Sequence, residues 1–138
     1  MNSISSIVKA HHIHLSDNDI QYVDRNPHMA TDNWQANHYK VTLRARIGGK
    51  RKQYTVYFSQ GYGIHHDPQC EDILDCLASD AQGVECARDF EDWASEYGYD
   101  TDSRKAEQTF KACQREADKL RKFLGYDIYN SLLNAERE

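Results

Sequence analysis

Polar and apolar positions alternate most regularly in the middle of the first half of the chain. Tyr39, Val41, Leu43, Ala45 and Ile47 interleave with Lys40, Thr42, Arg44 and Arg46, the period-2 signature of a half-buried strand. Gly48-Gly49 supplies the positive-φ residues that a tight hairpin needs. The return strand, about Arg51 to Ser59, places Tyr54, Val56 and Phe58 on one face and Thr55 and Tyr57 on the other. The pattern predicts a β-hairpin over about 38–59. A lone hairpin is marginal in water, so other elements must cover its apolar face.

Helical periodicity follows. Asp67 and Pro68 suit an N-cap and first helical position, and Cys70, Ile73, Leu74, Leu77 and Ala81 then share one face. Gly83 is expected to interrupt this helix. A second, near Val84 to Tyr97, presents Cys86, Phe90, Trp93 and Ala94, with Gly98 as its stop. The longest is capped by Asp102 or Ser103 and carries Ala106, Phe110, Cys113, Ala117, Leu120 and Leu124 until Gly125. Ile128, Leu132 and Leu133 suggest a short final helix. Ahead of the hairpin the pattern is weak: Asp19 to Val23 reads as a short strand, Asn26-Pro27 as a turn, and Met29 to Asn37 as a loop. The expectation is one α+β domain over 1–138: a variable segment 1–37, a β-hairpin 38–60, and a helical part 67–135. In it an N-terminal antiparallel sheet packs against three to four C-terminal helices.

Composition agrees with a folded chain: 138 residues, 39% hydrophobic and 28% charged. No apolar run approaches the roughly 18 residues of a membrane span. The first ten residues lack the blocks of a signal peptide, so the chain is expected in the cytosol, away from membranes. Cys70, Cys76, Cys86 and Cys113 are then expected as free, mostly buried thiols.

Charge alters the picture more. Residues 1–66 carry a net +4, residues 67–102 a net −11 and residues 103–138 a net +2. Two surfaces follow. Lys40, Arg44 and Arg46 share the polar face of one strand, Lys50, Arg51 and Lys52 sit at the turn, and Tyr57 lies on the same side. Bases interleaved with an aromatic can grip a nucleic-acid backbone, although the plainer reading is a solvated face whose lysines discourage aggregation. The acidic surface comprises Asp72 and Asp75, then Glu85, Asp89, Glu91, Asp92 and Glu96. Carboxylates about 5–6 Å apart along helices approach the charge density of a phosphate backbone, and the plainer reading is a solubilising face.

Candidate chemistry is sparse. His11, His12 and His14, and His65 and His66 before Cys70 and Cys76, match no metal-ligand spacing, so no metal and no cofactor are expected. There is no nucleophile elbow, phosphate loop or His-Glu-x-x-His, and Cys113 falls on an apolar stripe. The expectation is a protein that is not an enzyme.

From Tyr54 onward the wording YTVYFSQGYGIHHDPQCEDILDCLASDA, then FEDWASEYGYDTDSRKAEQTFKACQREADKLRKFLG, resembles small accessory proteins of tailed phages and prophages. The likeness runs from Tyr54 to Gly125 less a spacer, and residues 1–37 take no part in it. It implies a mobile-element protein acting in the host cytoplasm as an inhibitor of host defence, of which anti-CRISPR proteins are the best-known kind. Its implied partner is a host Cas protein or effector complex, whose basic nucleic-acid channel an acidic, DNA-mimicking surface would occupy. Direct nucleic-acid binding through the basic hairpin is the alternative.

Overall fold

The hairpin forms as the alternation requires. A computed structural model describes residues 3–27, 36–61, 64 and 66–135. In it β2 (Asn37–Ile47) and β3 (Lys50–Gln60) pair antiparallel without a register break from Ile47↔Lys50 to Asn37↔Gln60. Gly48 and Gly49 have φ of 60° and 76°, the left-handed pair that lets a two-residue turn follow the strand twist. Tyr39, Val41, Leu43, Tyr54, Val56 and Phe58 face the core and are buried.

A third strand covers the other edge of β2. β1 (Ile20–Val23) pairs antiparallel from Ile20↔Val41 to Val23↔His38, giving the order β1-β2-β3. It starts after Asp19 because Asp17–Asp19 winds into a 3-10 turn behind Ser16. Farther along the same edge residues 11–14 take over. The His14 N–H donates to Arg44 O (2.8 Å), and the Arg46 N–H donates to His11 O (3.0 Å).

The weakly patterned N-terminus also holds a helix that the sequence reading lacks. α1 (Ile4–Ala10) opens with a Ser3–Ser6 capping box and buries Ile4 and Ile7 against α2 and α5. Seven residues are too few for a helical period to declare itself.

Two expected boundaries shift. α2 (Cys70–Cys86) starts after Gln69 rather than at Asp67-Pro68. Residues 66–69 stay non-helical there, held by a bond from Gln60 Nε2 to His66 O (2.9 Å), with Pro68 buried. The helix also runs straight through Gly83. A Cβ at that position would stand 2.4 Å from the Tyr97 hydroxyl, so the glycine serves close packing and not helix termination. The expected second helix is therefore divided: Val84 to Cys86 belong to α2, and α3 is Phe90–Glu96.

α4 (Arg104–Leu124) begins at the Ser103 cap and ends at Gly125 (φ 86°), from which α5 (Tyr126–Leu133) departs. The α+β expectation holds, with three strands and five helices among the described residues, one helix preceding the sheet. The larger core joins the sheet to α1, α2, α4 and α5. A smaller one, Trp93, Ala94, Ala106 and Phe110, fastens α3 to the first half of α4. None of the four cysteines is in a disulfide, but Cys76 and Cys86 are exposed, which corrects the expectation that they are mostly buried.

Candidate functional site

Strand parity sorts the basic residues. Lys40, Arg44 and Arg46 on β2, with Arg51 and Tyr57 on β3, share the outer face of the sheet, opposite the core. Lys50 and Lys52 have the parity of Tyr54 and Val56 and leave the group. Lys52 Nζ donates to Lys122 O (3.3 Å) in the last turn of α4, where the helix dipole favours a cation.

The cations that stay together have unequal surroundings. Lys40 Nζ lies 6.0 Å from the ring centre of its cross-strand partner Tyr57. Arg44 is held by Asp19, with Nε 3.1 Å from both carboxylate oxygens and Nη2 2.9 Å from Oδ1. The Arg44 guanidinium and the Ser16 donors hold the Asp19 carboxyl down at about 2.

Arg46 and Arg51 face one another directly. The backbone N–H of Arg46 is spent on His11, on the side away from β3, so this is a non-hydrogen-bonded pair, in which side chains stand closest. Among the described residues no carboxylate forms an ion pair with either guanidinium. His12, in the left-handed conformation (φ 51°), and His14, whose Nδ1 is 2.8 Å from His12 O, complete a groove of about 760 Å³ with Arg44, Arg46 and Arg51.

The acidic residues do not share one task. Asp89 caps α3 by accepting from the Asp92 N–H (2.9 Å). Asp92 accepts from the Arg88 N–H (3.1 Å) and pairs with its guanidinium (3.6 Å). Glu85 takes the Tyr129 hydroxyl (3.0 Å) and Arg121 (3.4 Å). Asp75 is half-buried, which leaves Asp72, Glu91 and Glu96 in solvent.

A cleft that the sequence reading lacks lies beside β3, between α2, α3 and α4, with a volume of about 320 Å³. Tyr54 donates to the Glu116 carboxylate there, and Lys119 Nζ sits 3.3 Å from Glu116 Oε1. The packed walls of the cleft desolvate Asp80, which stays solvent-accessible, and push its carboxyl up to about 6; burial pushes the Cys113 thiol up to about 12. Asp80 and Glu116 are 36 positions apart in the chain, so only the packing of α2 on α4 brings them to one cavity.

His38 Nδ1 and Ser59 Oγ lie 2.8 Å apart as cross-strand partners, and Asn26 Nδ2 donates to the same hydroxyl (3.1 Å). No described carboxylate orients His38, so the contact ties strands and does not build a nucleophile–base–acid relay. Of the histidines weighed as ligands, His65 falls outside the described residues, and His66 Nδ1 is 3.0 Å from Asp67 O. Among the described residues no three His, Cys, Asp or Glu side chains converge to hold a metal ion. No described helix is long and apolar enough to cross a membrane.

No family model, curated protein or solved structure matches this chain.

Proposed function

We propose that the protein binds the phosphate backbone of a nucleic acid across the outer face of its sheet. The Arg46–Arg51 pair carries this reading. Like charges directly opposite on a sheet destabilise it, and here they stand in the close-packed kind of pair with no described acid between them. A polyanion laid across the face would relieve the repulsion and gain from Lys40. The overall charge of −5 does not oppose this, because charges beyond about 8 Å are screened at physiological salt, most of the acids lie on the α-helices, and Asp19 on this face is spent on Arg44.

The test is fluorescence anisotropy with labelled single- and double-stranded DNA and RNA at low salt. Three or four phosphate contacts predict a slope of log K against log[salt] of about −3. The Arg46→Glu, Arg51→Glu double variant should lose at least about tenfold. Absence of micromolar binding to all four oligonucleotides at low salt rejects the reading.

A second reading keeps the acidic helices as the working surface. It is favoured by Asp72, Glu91 and Glu96, exposed and with no cation paired to them among the described residues. In it the chain is a mobile-element inhibitor of the anti-CRISPR kind, set against the Lys/Arg channel of a Cas protein. Reversing those three to Lys should abolish capture of such an effector and leave oligonucleotide binding intact. Asp89 is kept out of the set, since it caps α3.

A further inference from the structure

The cleft beside β3 is a second site, which meets the sheet face at Tyr57. We propose that it takes one guanidinium or ammonium group, walled by Trp93 and Tyr97 and paired with the Asp80 carboxylate. Its two acids differ in one respect. Glu116 is already satisfied by Tyr54 and Lys119, whereas no described residue donates to Asp80 or forms an ion pair with it. Asp80 is solvent-accessible and lines the cleft together with Leu77, Trp93 and Tyr97.

The walls suit the same ligand. Trp93 is fixed by a parallel stack on Tyr99, with ring centres 5.2 Å apart and planes at 15°. Tyr97 stands 5.6 Å from Trp93, with its hydroxyl end against Gly83. Aromatic faces beside a carboxylate attract a cation through the ring quadrupole as well as by direct charge. An anion would meet Asp80 and Glu116. A neutral guest would desolvate the Asp80 carboxylate without pairing it, which costs more than it returns. About 320 Å³ is at the small end of ligand pockets and fits one side chain or a small amine. A free amine and the Arg or Lys side chain of a partner share this chemistry.

The experiment is calorimetric titration of the full chain with N-acetyl-argininamide, its neutral isostere N-acetyl-citrullinamide, and acetyl-Gly-Arg-Gly-amide. Saturable binding of the arginine compounds, at least tenfold tighter than the citrulline one, is expected. Asp80→Asn should weaken it at least tenfold without lowering the melting temperature, and Tyr97→Leu should weaken it separately. A tighter tripeptide assigns the site to a partner's side chain, and an equal or tighter monomer assigns it to a small free cation. Equal binding of citrullinamide, no effect of Asp80→Asn, or no saturable binding of either cation overturns the proposal. Oligonucleotide binding by Asp80→Asn should match the parent, so this site and the sheet face succeed or fail separately.

Discussion

Replacing Arg51 by Glu should make the protein more stable and less able to bind a polyanion. Arg51 and Arg46 are direct cross-strand neighbours in a non-hydrogen-bonded pair, on a face open to solvent. Removing like-charge repulsion there is worth a few tenths of a kcal/mol, and an opposite-charge pair adds about 0.2–1 kcal/mol. The expected gain is therefore about 0.5–1 kcal/mol, a rise in melting temperature of about 2–4 °C for a chain of this length. Arg51→Ala should recover only the part due to repulsion. Thermal melts followed by circular dichroism at 20 mM salt would measure both, and in 1 M salt the Glu variant's advantage should shrink as the screening length falls to about 3 Å. Anisotropy on the same samples reads the functional half. An Arg51→Glu protein less stable than its parent would mean the guanidinium is held by the fold and not against it. The case for the sheet face as a polyanion surface would then be lost.

Three further outcomes follow from the packing. Gly83→Ala should be near neutral alone, because the helix-propensity gain of about 0.5–1 kcal/mol is offset by displacing Tyr97; in a Tyr97→Ala background the full gain should emerge, and additive effects in a urea double-mutant cycle would refute the close approach. Asp19, held at about 2 against an ordinary 3.8, stabilises the fold above about pH 4 and gives this up as it protonates, so the deficit of Asp19→Asn at neutral pH should fade as pH falls from 4 towards 2, whereas a deficit constant with pH would deny the Arg44 pairing. Iodoacetamide at pH 8 should modify Cys76 and Cys86 in the native protein and reach Cys70 and Cys113, both raised to about 12 by burial, only after unfolding; mass spectrometry that finds Cys113 alkylated first would contradict the packing of α4.

What the sequence made legible was whatever depends on near neighbours in the chain. The β2–β3 register follows from strict alternation and two adjacent glycines, and α4 follows from a long apolar stripe with a serine in front. Long-range contacts defeated the rest. Gly83 reads as a breaker until Tyr97 is placed over it, and Asp67-Pro68 reads as a helix start until Gln60 claims the His66 carbonyl. The basic set was half legible: parity gathers Lys40, Arg44, Arg46, Arg51 and Tyr57, but Lys52 goes to the end of α4. The acidic run looked like one surface because composition cannot tell a cap, an internal ion pair and a free carboxylate apart. Asp80 was invisible as a site residue for the same reason, since its distinction lies in what α3 and α4 put around it.

The division of the apolar interior into two clusters has a kinetic consequence. Val84 borders both, but Trp93, Ala94, Ala106 and Phe110 hold α3 without help from the sheet. A seven-residue helix secured by so small a cluster is a natural unit of sub-global opening, able to detach while the sheet, α2 and the second half of α4 stay assembled. Its amides should exchange with deuterated solvent well before those of Ile73 to Leu77 or Leu120 to Leu124. Any occupant of the cleft beside Trp93 would then have to wait for, or slow, that breathing.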